Sequence, residues 1–170
     1  MPTLSLLSRS IGESFLQTAR QNLEKYGSLV SILFITFASG KRIEIPLQLP
    51  ATTEDKETYF VSIGGAMASL NEVIVEAVLL SEGWVVNAQQ APASHKLPPS
   101  QHPSRQEAIT LIGRNAAGTR HTCAVQPFHR QPSGQFIWNV LTIALYDEPV
   151  ARGGRAVGLL DHLFIGQEQR

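Results

Sequence analysis

The sequence predicts an α+β domain: an antiparallel sheet of about five to seven strands, two longer helices packed on one face, and a short C-terminal helix. Three observations lead there. Two segments carry apolar residues at helical spacing, several others are β-branched, aromatic or alternating, and these strand-like segments follow one another through short glycine-bearing turns. Consecutive hairpins make antiparallel neighbours.

Ser10 and Glu13 have capping-box spacing, in which each side chain satisfies a free donor at a helix start. Ile11, Phe15, Ala19, Leu23 and Tyr26 then form one stripe, with Glu13, Gln17, Arg20 and Glu24 turned to water, and Gly27 suits the end of the helix. Leu29 to Phe37 is largely β-branched or aromatic, and Lys41 to Leu49 alternates apolar with polar. With Ala38-Ser39-Gly40 between them, these two segments read as a hairpin. Pro46 and Pro50 place its second strand at an edge or end it early, because proline has no donor for the ladder.

A second helix is signalled by Thr52 or Thr53 as cap, by Glu54, Asp55 and Glu57 at its positive end, and by Phe60, Ile63, Met67 and Leu70 at helical spacing. Gly64 and Gly65 in its middle cost about 2 kcal/mol relative to alanine, which apolar packing must offset or which marks a close approach of helix to sheet. They are not a phosphate loop, since no strand precedes them directly and the fuller glycine spacing is missing. Val73 to Ala88 reads as one long bent strand or two short ones, with Gly83 as the bend. Residues 89–106 form a long proline-rich surface loop. Glu107 to Arg114 and Thr119 to Pro127 flank Asn115-Ala116-Ala117-Gly118 as a second hairpin, Phe136 to Leu145 is one more strand, and Ala156 to Ile165 is a closing helix.

The chain of 170 residues, 43% hydrophobic, reads as one domain over 1–170 with a single core. Its charged fraction of 16% lies below the roughly 25% of average domains, so part of the surface is uncharged, and a homodimer burying a sheet edge or helix face is expected. Basic and acidic residues balance at 14 each, which leaves no overall field to draw the chain to nucleic acid or to a membrane. Five basic residues between Lys96 and Arg130 against the one acid Glu107 make a local basic run, but it lacks interleaved aromatics, so nucleic acid is not the expected partner. Trp84 and Trp138 read as core or interface anchors. The single Cys123 fits a reducing compartment, no apolar stretch approaches the roughly 20 residues of a spanning helix, and Leu4, Leu6 and Leu7 are too few for a secretory segment. The expected location is cytoplasmic.

His95, His102, His121 and His129 share a window with Cys123, and His121 and Cys123 point to one face of a strand. No HxxxH or HExxH spacing accompanies them, so no metal site and no cofactor is assigned. Cys123 in an alternating strand reads as a small buried apolar residue rather than a nucleophile. No G-x-S-x-G elbow exists, and Glu76, Glu82 and Glu107 fall in separate positions that sequence cannot bring to catalytic distance. No catalytic residue is assigned. The run Pro99 to Glu107 is more informative, because its prolines stiffen a loop presenting His102, Ser104 and Arg105. Arg105 offers a forked donor either to an anionic group or to Glu82 or Glu107 as a loop anchor, with its stem over Trp84.

Ser81-Glu82-Gly83-Trp84 followed by Pro99-Ser100-Gln101-His102-Pro103-Ser104-Arg105-Gln106-Glu107-Ala108 resembles a family of small uncharacterised prokaryotic proteins. In that family a Ser-Glu-Ala-Trp segment precedes Pro-Ser-x-His-Pro-x-Arg-x-Glu; here Gly83 replaces the alanine, and Ser104 stands where Asp is frequent. The resemblance covers about residues 60–127 and implies that Glu82, Trp84, His102 and Arg105 belong to one arrangement, but it implies no activity. Absent catalytic motifs and low charge favour a non-enzymatic binding or accessory protein acting through self-association or a protein partner. The alternative is a small hydrolase or transferase using the His102 and Arg105 loop on an anionic substrate.

Overall fold

The computed structural model describes residues 4–86, 99–141, 143–149 and 158–169. Helix α1 (Arg9–Tyr26) leads into the hairpin β1 (Ser31–Phe37) and β2 (Arg42–Leu47), then α2 (Thr53–Ser69) and β3 (Ile74–Val85). A 3-10 turn (Pro99–Gln101) precedes β4 (Gln106–Asn115), β5 (Arg120–Arg130), β6 (Phe136–Trp138), β7 (Ile143–Pro149) and α3 (Gly158–Glu168). The seven strands form one antiparallel sheet of order β2-β1-β3-β4-β5-β6, with β7 also on β5. The α+β class, the strand number, two longer helices and a short C-terminal helix therefore stand as predicted. No helix among the described residues is long and apolar enough to cross a membrane.

The placement of the helices is corrected. Leu16, Ala19 and Leu23 of α1 pack with Phe34, Val78, Leu80, Ile109 and Leu111 on one face. Phe60 of α2 and Leu160, Leu163 and Phe164 of α3 pack with Leu33, Ile35, Phe37, Leu79 and Ile112 on the other. All five residues from Leu33 to Phe37 are buried, and a strand that is apolar in both directions needs cover on both faces. Leu6 and Leu7 add to the α1 face, where Glu76 holds the segment by accepting from Ser5 Oγ at 2.6 Å and from the Leu6 N–H at 2.9 Å.

Local signals held where the backbone alone decides. Thr52 caps α2, its Oγ1 accepting from the Asp55 N–H at 3.1 Å, and Gly27 ends α1 at φ +77°. The Ser10 and Glu13 capping box is not formed: α1 begins two residues earlier, with Ser8 in the cap position, and Ser8 makes no side-chain cap bond. Tyr26, assigned to the buried stripe, is exposed. Pro46 does sit on the edge strand. The bend expected at Gly83 lies elsewhere, since β3 pairs with β4 without interruption from Glu76 to Val85 and its register slips against β1 near Val75. The single strand expected over Phe136 to Leu145 is two, β6 and β7, lying on different stretches of β5.

Gly64 marks a close approach of helix to helix rather than of helix to sheet. A Cβ on Gly64 would overlap the Leu163 carbonyl oxygen and lie 3.1 Å from the Gln167 nitrogen, and one on Gly166 would overlap the Val61 carbonyl and lie 2.8 Å from its carbon. Mutual backbone contact of this kind fixes α3 against α2. It also sets Leu159, near the start of α3, beside the first turn of α2.

Candidate functional site

The residues singled out by sequence gather at the end of the sheet where β3, β4 and β5 run side by side. In register, Glu82 faces Ile109 and Trp84 faces Glu107, while Ile109 faces Gln126 and Glu107 faces Phe128. Directly opposed residues share a face, so Glu82, Trp84, Glu107 and the β5 residues Gln126, Phe128 and Arg130 all project towards the α1 side. Arg130 is the centre of this group. Its Nε donates to Glu107 Oε1 at 3.0 Å and Oε2 at 3.2 Å, its Nη2 to Glu82, and its Nη1 to the Gly27 carbonyl at the end of α1. The guanidinium also lies over Phe128 and Phe136, with ring centres 5.4 and 5.1 Å away. Glu82 completes the tie by accepting from the Leu29 N–H at 3.0 Å.

The expected Arg105 to Glu82 pair is therefore replaced by Arg130 to Glu82. Arg105 does meet Trp84, but with its guanidinium, whose Cζ lies 4.8 Å from the ring centre, where the loop reading placed the stem. Trp84 itself is 43% exposed. The loop that carries Arg105 is tightly folded: His102 is only 4% exposed, its Nδ1 accepts from the Ser104 N–H at 3.1 Å, and its carbonyl accepts from the Arg105 N–H at 3.2 Å. Ser104 thus contributes its backbone, while residues 89–98 of the expected long loop lie outside the described residues. Glu82, Trp84, His102, Ser104 and Arg105 come to one end of the sheet, but as a stack and a turn rather than as convergent donors around one space.

Arg130 was missed as the hub although the sequence held a signal for it. The turn at Gly118, φ +66°, fixes the second hairpin, and counting outward from it sets Glu107 against Phe128, with Arg130 on its diagonal.

On the other face of the same strands lies a cleft of about 880 Å³. Leu79, Ser81, Gly83, Thr110 and Ile112 line it from the sheet, Thr52, Thr53 and Lys56 from α2, Leu159 from α3, and Ser100 and Gln101 from the 3-10 turn, and the candidate residues Glu82, Trp84 and Glu107 also contribute to its lining. Ser81 Oγ and Thr110 Oγ1 are 2.9 Å apart in its floor, and Thr110 Oγ1 also donates to the Ser81 carbonyl. Neither His102 nor Arg105 is among its lining residues.

Cys123 is half-buried on β5 against the α2 and α3 cluster, and burial pushes its thiol up from the ordinary thiol range. His121 shares its face, and burial, then the charge of Arg114 directly opposite, push the imidazole down. His129 stands on the same side of β5 but about 20 Å from Cys123 at roughly 3.3 Å per residue, and His95 lies outside the described residues. No group of three metal-ligating side chains occurs among the described residues. Trp138 is a partial core residue whose Nε1 donates to Glu24 of α1 at 2.7 Å.

No family model matches the chain, and neither a curated protein nor a solved structure matches it.

Proposed function

We propose that the chain is a non-enzymatic binding or accessory protein that acts through self-association or a protein partner. The observation that carries this reading is the internal commitment of the polar groups at the candidate site. Arg130 holds both Glu82 and Glu107, Arg105 lies on Trp84, and His102 is buried within its own turn. Large apolar side chains at the same sheet end remain exposed: Tyr26 at 65%, Val30 at 59% and Trp84 at 43%. Leu29 and Gly27, bonded to Glu82 and Arg130, bring this corner of the chain beside β3. Tryptophan, tyrosine and arginine grouped around apolar surface are the composition of residues that dominate binding energy at protein interfaces.

The hydrolase or transferase alternative needs His102 and Arg105 to face a shared pocket with Glu82. The cleft is lined by Glu82, Trp84 and Glu107 but draws only Ser100 and Gln101 from that loop, and the absence of His102 and Arg105 from its lining weighs against the alternative. Two measurements on the purified chain test the proposal together. Sedimentation over about 1 to 200 μM, a range spanning most specific homodimers, is expected to show reversible association. Turnover of p-nitrophenyl acetate or p-nitrophenyl phosphate that disappears in His102→Ala and Arg105→Ala would overturn the non-enzymatic reading.

A further inference from the structure

Self-association, the half of the proposed function on which this inference rests, has a specific surface in the free edge of the sheet. Among the described residues, strand β2 has β1 on one side and no strand on the other. Phe37 and Lys41 bond across the hairpin, the Phe37 N–H donating to the Lys41 carbonyl at 2.9 Å. Backbone groups alternate in direction along a strand, so Lys41, Ile43, Ile45 and Leu47 turn theirs towards β1, and Arg42, Glu44 and Pro46 turn theirs outward. The three outward residues share one face and are exposed, whereas Ile43 and Ile45 lie on the opposite face, partly buried against the α2 and α3 cluster. Arg42 donates to the Leu4 carbonyl, and Glu44 has no hydrogen bond or ion pair among the described residues.

We propose that β2 pairs antiparallel with β2 of a second copy of this chain about a two-fold axis at Ile43, so that Arg42 of each copy faces Glu44 of the other.

Hydrogen-bond direction and charge select this register. Only registers that set outward residues against outward residues make backbone bonds, which leaves three that join the charged positions. Centring on Arg42 opposes two guanidinium groups, and centring on Glu44 opposes two carboxylates. Centring on Ile43 opposes Arg42 to Glu44 twice, supplies both Glu44 N–H groups with acceptors, and brings the two Ile43 side chains together at a non-hydrogen-bonded pair, where side chains approach most closely. Pro46 then falls opposite Gly40 in the turn, so its missing N–H removes nothing from the paired region. Charges and a proline on an edge strand discourage indiscriminate pairing. Here their order discourages every partner register except the self-complementary one.

Sedimentation of the full chain with three variants tests the pairing. Glu44→Pro removes an N–H that β1 does not use, so circular dichroism is expected to match the wild type while the dimer dissociation constant rises at least about tenfold. Glu44→Arg is expected to weaken the dimer by a similar factor through two like-charge contacts, and the swap Arg42→Glu/Glu44→Arg to restore it to within about threefold. A dimer unaffected by Glu44→Pro and Glu44→Arg would overturn this edge as the interface and leave self-association standing. Weakening by the single variants without recovery in the swap would overturn the register. A wild-type chain that stays monomeric at about 200 μM would overturn the pairing and the self-association reading together.

Discussion

Neighbouring glycines in α2 are expected to respond to alanine with opposite signs. Gly64 and Gly65 both occupy a helix interior, where alanine is favoured by about 1 kcal/mol through reduced chain entropy. At Gly65 the new methyl meets only the Gly166 carbonyl oxygen, at an ordinary 3.6 Å, so most of that gain is expected to survive. At Gly64 it overlaps the Leu163 carbonyl and stands 3.0 Å from its carbon, and backbone atoms cannot rotate away as a side chain would. Overpacking typically costs about 1 to 3 kcal/mol and sometimes more, so Gly64→Ala is expected to destabilise by about 1 to 2 kcal/mol after the propensity gain. With a urea slope of about 2 kcal/mol per molar, Gly65→Ala would raise the midpoint by up to about 0.5 M and Gly64→Ala would lower it by about 0.5 to 1 M. Gly166→Ala is expected to cost as much as Gly64→Ala, and the double variant less than the sum, because the first methyl already separates the helices. Equal shifts for Gly64→Ala and Gly65→Ala, or a Gly64→Ala midpoint at or above the wild type, would refute the α2 and α3 contact. The same separation would widen the cleft wall formed by Thr52, Lys56 and Leu159.

Arg130→Met is expected to destabilise by about 2 kcal/mol, since it keeps the aliphatic contact with Phe128 but leaves Glu82 and Glu107 without their shared cation, an effect moderated by the 34% exposure of the arginine side chain; chemical denaturation reads it, and a change under about 0.5 kcal/mol would contradict the hub role. Arg105→Lys keeps the charge but is expected to alter Trp84 fluorescence with a stability loss of at most about 1 kcal/mol, whereas an unchanged spectrum would remove the stacked arrangement. Thr52→Ala is expected to cost about 1 kcal/mol through loss of the bond to the Asp55 N–H. Cys123 should react slowly with iodoacetamide in the folded chain and quickly in urea. Burial raises Cys123 and Tyr146 alike, so above about pH 9 the unfolded chain loses protons that the folded chain retains; stability is expected to fall with rising pH there, and Cys123→Ala to lessen that fall. A flat profile from about pH 8 to 10.5 would contradict their burial.

The sequence by itself determined what short-range physics governs. Glycine at positive φ fixed the turns at Gly40 and Gly118 and the end of α1, Thr52 fixed the start of α2, and a proline without a donor assigned β2 to an edge. Alternation and hairpin order gave the antiparallel sheet. Tertiary structure alone decided which long-range partners these elements take. The same apolar run in β1 serves one covered face or two until helices are placed on it, and Gly64 reads identically whether a strand or another helix approaches. For the candidate site the difference was one of competition: Glu82 could accept from Arg105 or Arg130, both within reach of the same sheet end. Arg130 wins because the register of β4 and β5 presents it to Glu82, Glu107 and the Gly27 carbonyl at once, whereas Arg105, set beyond the start of β4, meets the face of Trp84. One side chain satisfying three acceptors on three elements loses its conformational freedom once, and a separate partner for each acceptor would lose it three times.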